Sequence, residues 1–270
     1  MDYLLTHTLV YGIIGGVFVY YLAYCKVLQI SVGATFIGLA FSLAKYAQGY
    51  HLEAAILCVG LLVFYTLLQW IMLRFFPHQS QRDIFSIMFT LGAAIVIENT
   101  LWLLFGSSPV SLSSTHPSLW FLLWLIVSVA LCVWYIFEKS FIGKIFNAIR
   151  ESHSTTKSLW IPLQKFLLLG GWWWFLCLIF WSYIAVHSEG IKATDGLFYL
   201  IIGIGIMVAS GTRGIKGVFL ISFGYVLIEY ILFVTLETPI AYKAGLMITL
   251  ILLLLLIKPE WLFSFSRRHI

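Results

Sequence analysis

The chain alternates between long apolar runs and short polar connections along its whole length. A helix needs about 20 mainly apolar residues to cross a hydrocarbon core of about 30 Å. The apolar runs that approach or reach this length are Leu4–Tyr24, Val27–Tyr46, Leu52–Leu73, Ile84–Gly106, Ser118–Phe137, Phe166–Val186, Leu197–Ser210, Val218–Thr235 and Ile240–Ile257. The first two runs are nearly continuous and Leu197–Ser210 is short. The pattern therefore predicts eight or nine transmembrane helices in a single membrane domain over residues 1–270.

Composition supports the same fold class. The chain is 61% hydrophobic and 10% charged, whereas an average soluble domain is about 45–50% apolar and about 25% charged. A soluble fold of this size has too little interior to bury that much apolar surface, which predicts an all-α polytopic membrane protein. The four cysteines lie in or beside apolar runs without CxxC spacing, so we expect small buried side chains and neither disulfides nor a zinc site.

Positive charge is concentrated on alternate connections, which predicts the orientation of the chain. If the C-terminus is cytoplasmic, 13 of the 16 basic residues share its side, and Lys45, Lys192 and Lys243 lie opposite. With nine crossings the N-terminus is then outside. Because the net charge of +5 is spread over these connections, it forms no patch that would suit nucleic acid.

One long polar passage, Gly143–Ile161 (GKIFNAIRESHSTTKSLWI), falls on the predicted cytoplasmic side. Phe141, Ile145 and Ala148 recur at helical spacing, with polar and charged residues around the rest of the wheel. A short amphipathic helix at this position has two physical roles open to it. It can lie among anionic headgroups, or it can present its surface to a cytoplasmic partner.

Four segments, in order, resemble permease subunits of the branched-chain amino acid type of ABC importers. The matching segments are GKIFNAIRESHSTTKSLWI, RDIFSIMFTLGAAIVIENTLWLLFG (82–106), SGTRGIKGVFLISFGYVLIEYIL (210–232) and AYKAGLMITLILLLLLIKPEWLF (241–263). A fifth motif of the family, a helix break near the N-terminus, has Gln29-Ile30-Ser31-Val32-Gly33 as its counterpart, with the glycine retained. The resemblance implies an ABC importer permease bundle in the bacterial inner membrane.

The resemblance also implies partners for the polar passage. It makes 138–165 a docking segment for cytoplasmic ABC ATPase subunits, through Gly143, Lys144, Ala148, Arg150, Glu151 and Ile161. Further expected partners are a second permease subunit, which is this chain or a relative, an extracytoplasmic solute-binding protein, and membrane lipid. The chain has no G-x-x-x-x-G-K-[ST] phosphate loop. No cofactor is expected in it, because ATP would bind the partner subunits.

Polar residues inside the predicted spans are the candidates for a solute path, namely Gln29, Ser31, Gly33, Glu98, Asn99 and Glu229. Intramembrane carboxylates are costly and normally face the bundle interior or water. Glu98, with Asn99, either lines the path or satisfies a backbone group of a neighbouring helix. Glu229 either lines the path or fixes helix packing, and Gln29 and Ser31 either face the path or form interhelical hydrogen bonds.

Two other function classes compete with a permease. A membrane-embedded enzyme with its chemistry at Glu98 would need a cluster of titratable groups at one depth, and a stand-alone secondary transporter would need inverted repeats and ion ligands. The sequence shows neither pattern, and none of its seven histidines lies in a metal or catalytic motif. We therefore expect no catalytic residue and no metal site.

Overall fold

The computed structural model describes residues 2–25, 27–75, 79–111, 143–145, 148, 163–188, 190–210 and 215–235, together with 245, 249 and 253. Its helices are α1 (Asp2–Tyr20), α2 (Val32–Ala47), α3 (His51–Phe75), α4 (Gln79–Phe105), α5 (Leu163–Ser188), α6 (Gly196–Ser210) and α7 (Ile215–Tyr230). Tyr21–Cys25 and Ile231–Thr235 continue α1 and α7 as π-helical turns, and Ala193–Asp195 forms a 3-10 turn before α6. In these ranges the predicted all-α fold is confirmed.

In the part of the chain that the structure describes, five helices are long and apolar enough to cross a membrane. They cover Tyr3–Cys25, His51–Arg74, Phe85–Phe105, Gln164–His187 and Ala193–Ser210, with shorter apolar helices at Val32–Ala47 and Gly217–Phe233. Each of the seven overlaps a predicted apolar run, and Val32–Ala47 begins five residues later than its run. The runs Ser118–Phe137 and Ile240–Ile257 fall outside the described residues, apart from single positions in the second. The count of eight or nine spans stays a prediction.

Helix α1 lies at the centre of the bundle, and 89% of its apolar window is buried. Its glycines bring neighbouring helices close. Side chains of α7 and α5, Phe219 and Trp174, occupy the space where a Cβ at Gly12 and at Gly16 would lie. In this protein the two glycines of the Gly12-x-x-x-Gly16 pattern each contact an aromatic ring of a neighbouring helix. The usual role of this pattern is to let two helix backbones approach closely.

The carbonyl oxygen of Leu167 joins three helices. The Tyr20 hydroxyl of α1 and the Gln69 side-chain amide of α3 both donate to it, each at 2.7 Å. The Gln69 carboxamide occupies the position that a Cβ at Gly171 would need, so this glycine allows α3 and α5 to meet. Buried polar groups in lipid must be satisfied within the protein, and this carbonyl is one point where the bundle does so.

The two ends of the bundle carry the basic residues that the sequence analysis placed on opposite sides. At one end the Lys45 ammonium lies over the rings of Tyr50 and Phe105, and Val110 pairs with Ile191 just before Lys192. At the other end, Gln69 of α3 donates a hydrogen bond to the Leu167 carbonyl of α5. Arg74 and Lys165 are close to these two residues in sequence and therefore lie at this end as well. The predicted grouping of Lys45 with Lys192 therefore agrees with the geometry of the described helices.

Candidate functional site

The connection between α1 and α2 is irregular backbone inside the protein. The predicted span Val27–Tyr46 is helical only from Val32, which corrects its boundary. The backbone amide of Ile30 donates to the Thr90 hydroxyl of α4 at 3.0 Å, and that hydroxyl donates to the Ser86 carbonyl at 2.6 Å. Non-helical backbone at membrane depth is tolerated where it is buried in protein. Thr90 therefore stabilises a break that the sequence indicated near Gln29 but could not assign to a partner.

Gln29 and Ser31 on this connection are both deeply buried. Their side chains are 2% and 0% exposed, respectively. Gln29 Nε2 and Ser31 Oγ have no hydrogen-bond partner among the described residues, and Ser31 begins α2 without a side-chain capping bond. Buried polar groups are nearly always hydrogen-bonded. These two atoms therefore keep unused hydrogen-bonding capacity at the start of α2.

Gly33 is the second residue of α2 and lies at a close crossing of α2 with α6. A Cβ at Gly33 would overlap the carbonyl oxygen of Gly196 and lie 3.1 Å from the backbone nitrogen of Leu200. A Cβ at Gly196 would in turn lie 3.1 Å from the Cα of Ala34. The two glycines thus let the first turns of both helices meet at backbone distance.

Glu98 of α4 lies against the same crossing. Its carboxylate accepts a hydrogen bond from the backbone amide of Leu197 and occupies the space where a Cβ at Gly196 would be. The first backbone amides of a helix have no partner within the helix, and negative charge is favoured at this end. Glu98 therefore caps α6 from a neighbouring helix, as one of its two predicted roles required.

Asn99 and Glu229 lie apart from this group. Asn99 is exposed on the outer side of α4, and its Nδ2 donates to the Ile95 carbonyl at 2.8 Å. Glu229 of α7 is buried near the beginning of α1, where the Tyr3 hydroxyl donates to it at 2.8 Å. The Tyr3 ring also stacks on His7 at a centroid distance of 3.9 Å. The structure thus brings Glu98 to the Gly33–Gly196 crossing, which directly follows Gln29 and Ser31 in the chain, and places the other two candidates elsewhere.

The described part of the docking segment is helical at Gly143–Ile145 and at Ala148. Ile145 is 6% exposed and belongs to the core of the bundle, whereas Lys144 is exposed. A buried apolar residue next to an exposed charged one is what the amphipathic pattern predicts. Arg150, Glu151 and Ile161 lie outside the described residues.

Titratable side chains are scattered over the described ranges. In these ranges no group of three or more His, Cys, Asp or Glu residues is arranged to hold a metal ion. The trio Trp172, Trp173 and Trp174 points in different directions, since Trp172 is 48% exposed and Trp174 is buried. The chemistry offered by the buried group near α2 is hydrogen bonding to a polar molecule.

We expect Thr90→Val to destabilise the protein by about 1–3 kcal/mol, because valine keeps the shape of threonine but leaves the buried Ile30 amide without an acceptor. Thr100→Val is the matched control on the same helix. The Thr100 hydroxyl is exposed and bonds only the Val96 carbonyl one turn back, so its loss should change stability little. Thermal unfolding of both variants in detergent measures the difference, and equal midpoints would contradict the assigned role of Thr90.

No protein-family model, curated protein or solved structure matches this chain. The function is therefore argued from its residues and their arrangement.

Proposed function

We propose that the chain is the non-catalytic transmembrane permease subunit of an ABC importer. It would form the path for a small polar solute, best fitted by amino acids of the branched-chain type, and separate ATPase subunits would drive transport. The observation that carries the proposal is the docking segment. Ile145 is buried in the bundle core while Lys144 is exposed, which is the arrangement that a partner-binding amphipathic helix requires.

The solute path is proposed to run beside the start of α2. Gln29 and Ser31 supply two buried polar atoms there, and the Gly33–Gly196 crossing with Glu98 lies in the first turn of α2. In transporters, polar sites commonly form where a helix is discontinuous at membrane depth. A helix that begins late, after irregular backbone, gives this chain such a position.

The complete assembly follows from the resemblance of the four segments. The chain would cross the bacterial cytoplasmic membrane eight or nine times with its C-terminus in the cytoplasm. Two ATPase subunits would bind ATP and hold the docking segments. A second permease subunit would complete the path, and an extracytoplasmic binding protein would deliver the solute.

Cysteine labelling tests the orientation on which this proposal depends. In a chain whose native cysteines are replaced by alanine, we expect Lys144→Cys and Lys157→Cys to react with a membrane-impermeant maleimide only after spheroplasts are opened. Lys192→Cys, at the opposite end of the bundle, is the matched control and should react in intact spheroplasts. Labelling of position 144 from outside would exclude docking to a cytoplasmic ATPase.

A further inference from the structure

Helix α4 has two distinct faces. Ser86, Thr90, Ala94 and Ile97 are buried against the bundle. The opposite side is exposed along the full span, and it contains a set of residues spaced alternately three and four apart, namely Phe85, Met88, Gly92, Ile95, Asn99 and Trp102. This spacing is the a/d pattern by which two parallel helices pack along a continuous seam.

Asn99 distinguishes this face from other exposed surfaces of the bundle. The outward faces of α3 and α7 carry large apolar side chains. Each also has a glycine, Gly60 or Gly224, with no atom within 4 Å of the position that a Cβ would take. On α4 the open glycine, Gly92, lies seven residues before an exposed carboxamide. Transfer of a polar group from water to hydrocarbon costs several kcal/mol when the group has no hydrogen-bond partner there. Lipid tails alone are therefore a poor neighbour for this face.

The carboxamide of Asn99 has hydrogen-bonding capacity left over. One side-chain N–H is used by the Ile95 carbonyl at 2.8 Å. A carboxamide carries two N–H donors and an acceptor oxygen, and in the described ranges Oδ1 accepts no hydrogen bond. One donor and one acceptor on the same group are self-complementary, so a second Asn99 satisfies both.

We infer that this face of α4, which we call the Asn99 seam, packs against the same seam of a second copy of the chain. Two copies inserted in the same orientation are related by a two-fold axis along the membrane normal, so residues near the axis meet their own copies at equal depth. Asn99 then pairs with Asn99, and Gly92 lets the two backbones approach. A single asparagine at an a position is known to fix register and the number of strands in parallel helix pairs.

The inference depends on the proposed function only in that α4 crosses a membrane. It identifies the second permease subunit as this same chain and assigns the surface that binds it. Association through α4 requires no ATPase, so the inference and the ATPase-binding proposal can fail separately.

Oxidative cross-linking in native membranes tests the seam with the full chain expressed alone and its native cysteines replaced by alanine. We expect Gly92→Cys and Ile95→Cys to give a covalent dimer. Leu104→Cys and Val63→Cys are matched controls at exposed positions. Leu104 lies on α4 about 140° around the helix from Asn99, and Val63 lies on α3. Both variants should remain monomeric. Equal cross-linking at all four positions, or dimers from Val63→Cys alone, would overturn the seam.

Variants of Asn99 test its specific part. In the Ile95→Cys background, Asn99→Leu keeps the volume and should lower the dimer fraction about threefold or more, whereas Asn99→Gln keeps the carboxamide and should retain it. Because the position is exposed, the amount of chain in the membrane reports whether each variant still folds. Monomers at every seam position mean that lipid or another span of the same chain covers the face, and this outcome overturns the inference.

Discussion

Replacing Arg150 with glutamate is expected to lower the amount of ATPase that co-purifies with this chain by about tenfold or more. A docking segment held in a cleft of a partner has its charges in contact with that partner, and reversing a charge in such a contact commonly costs 2–5 kcal/mol or more. The measurement is pull-down of an ATPase encoded in the same gene neighbourhood after co-expression in membranes. Because Arg150 lies in a polar connection, the variant should insert and accumulate normally.

Lys192→Glu is the control for this experiment. It makes the same change of charge at an exposed residue at the opposite end of the bundle, and it should leave ATPase recovery unchanged. If Arg150→Glu and the native chain recover equal amounts of ATPase, the segment is not a docking element. Its remaining role would then be contact with anionic lipid, as the sequence alone also allowed.

A leucine at Gly33 is expected to destabilise the protein by at least about 3 kcal/mol. The added side chain must enter a contact in which even a Cβ overlaps the Gly196 carbonyl oxygen, and backbone cannot move aside as a flexible side chain can. For a protein of this size the loss corresponds to a fall of about 6–12 °C in the apparent Tm. Thermal aggregation of the detergent-solubilised protein measures it.

Gly60→Leu provides the comparison. Gly60 also lies in a helix, but nothing is within 4 Å of the position that its Cβ would take. Leucine there faces outward and removes a helix-weakening glycine, so stability should stay equal or rise. Similar destabilisation by both substitutions would indicate a general effect of losing glycine and would contradict a specific α2–α6 crossing.

The helices themselves were predictable because backbone groups in lipid must be satisfied within each segment, which makes an apolar run of sufficient length helical. Leu52–Leu73 lies within α3 and Ile84–Gly106 matches all of α4 except its first five residues for this reason. The start of α2 was predicted too early. Val27 and Ile30 are as apolar as helical residues, and hydropathy does not reveal that Thr90 accepts the Ile30 amide.

The candidate site was predictable in its residue types and not in its grouping. A polar side chain inside a span indicates an inward-facing position, and Gln29, Ser31 and Glu98 follow that rule to different extents. Asn99 is adjacent to Glu98 in sequence, yet it faces outward because consecutive helical residues differ in direction by about 100°. The partners of these side chains, Leu197 for Glu98 and Tyr3 for Glu229, come from distant parts of the chain and leave no local signal.

The central position of α1 affects how the protein is made. The helices that surround α1 include α5, α6 and α7, which are translated long after it. At about 5–20 residues per second, roughly 10–40 s separate the synthesis of Cys25 from that of Tyr230. Until α7 is made, Gly12 lacks the Phe219 ring that covers it in the folded bundle. A chain that stalls before α7 therefore leaves the Gly12 surface of its central helix open to lipid.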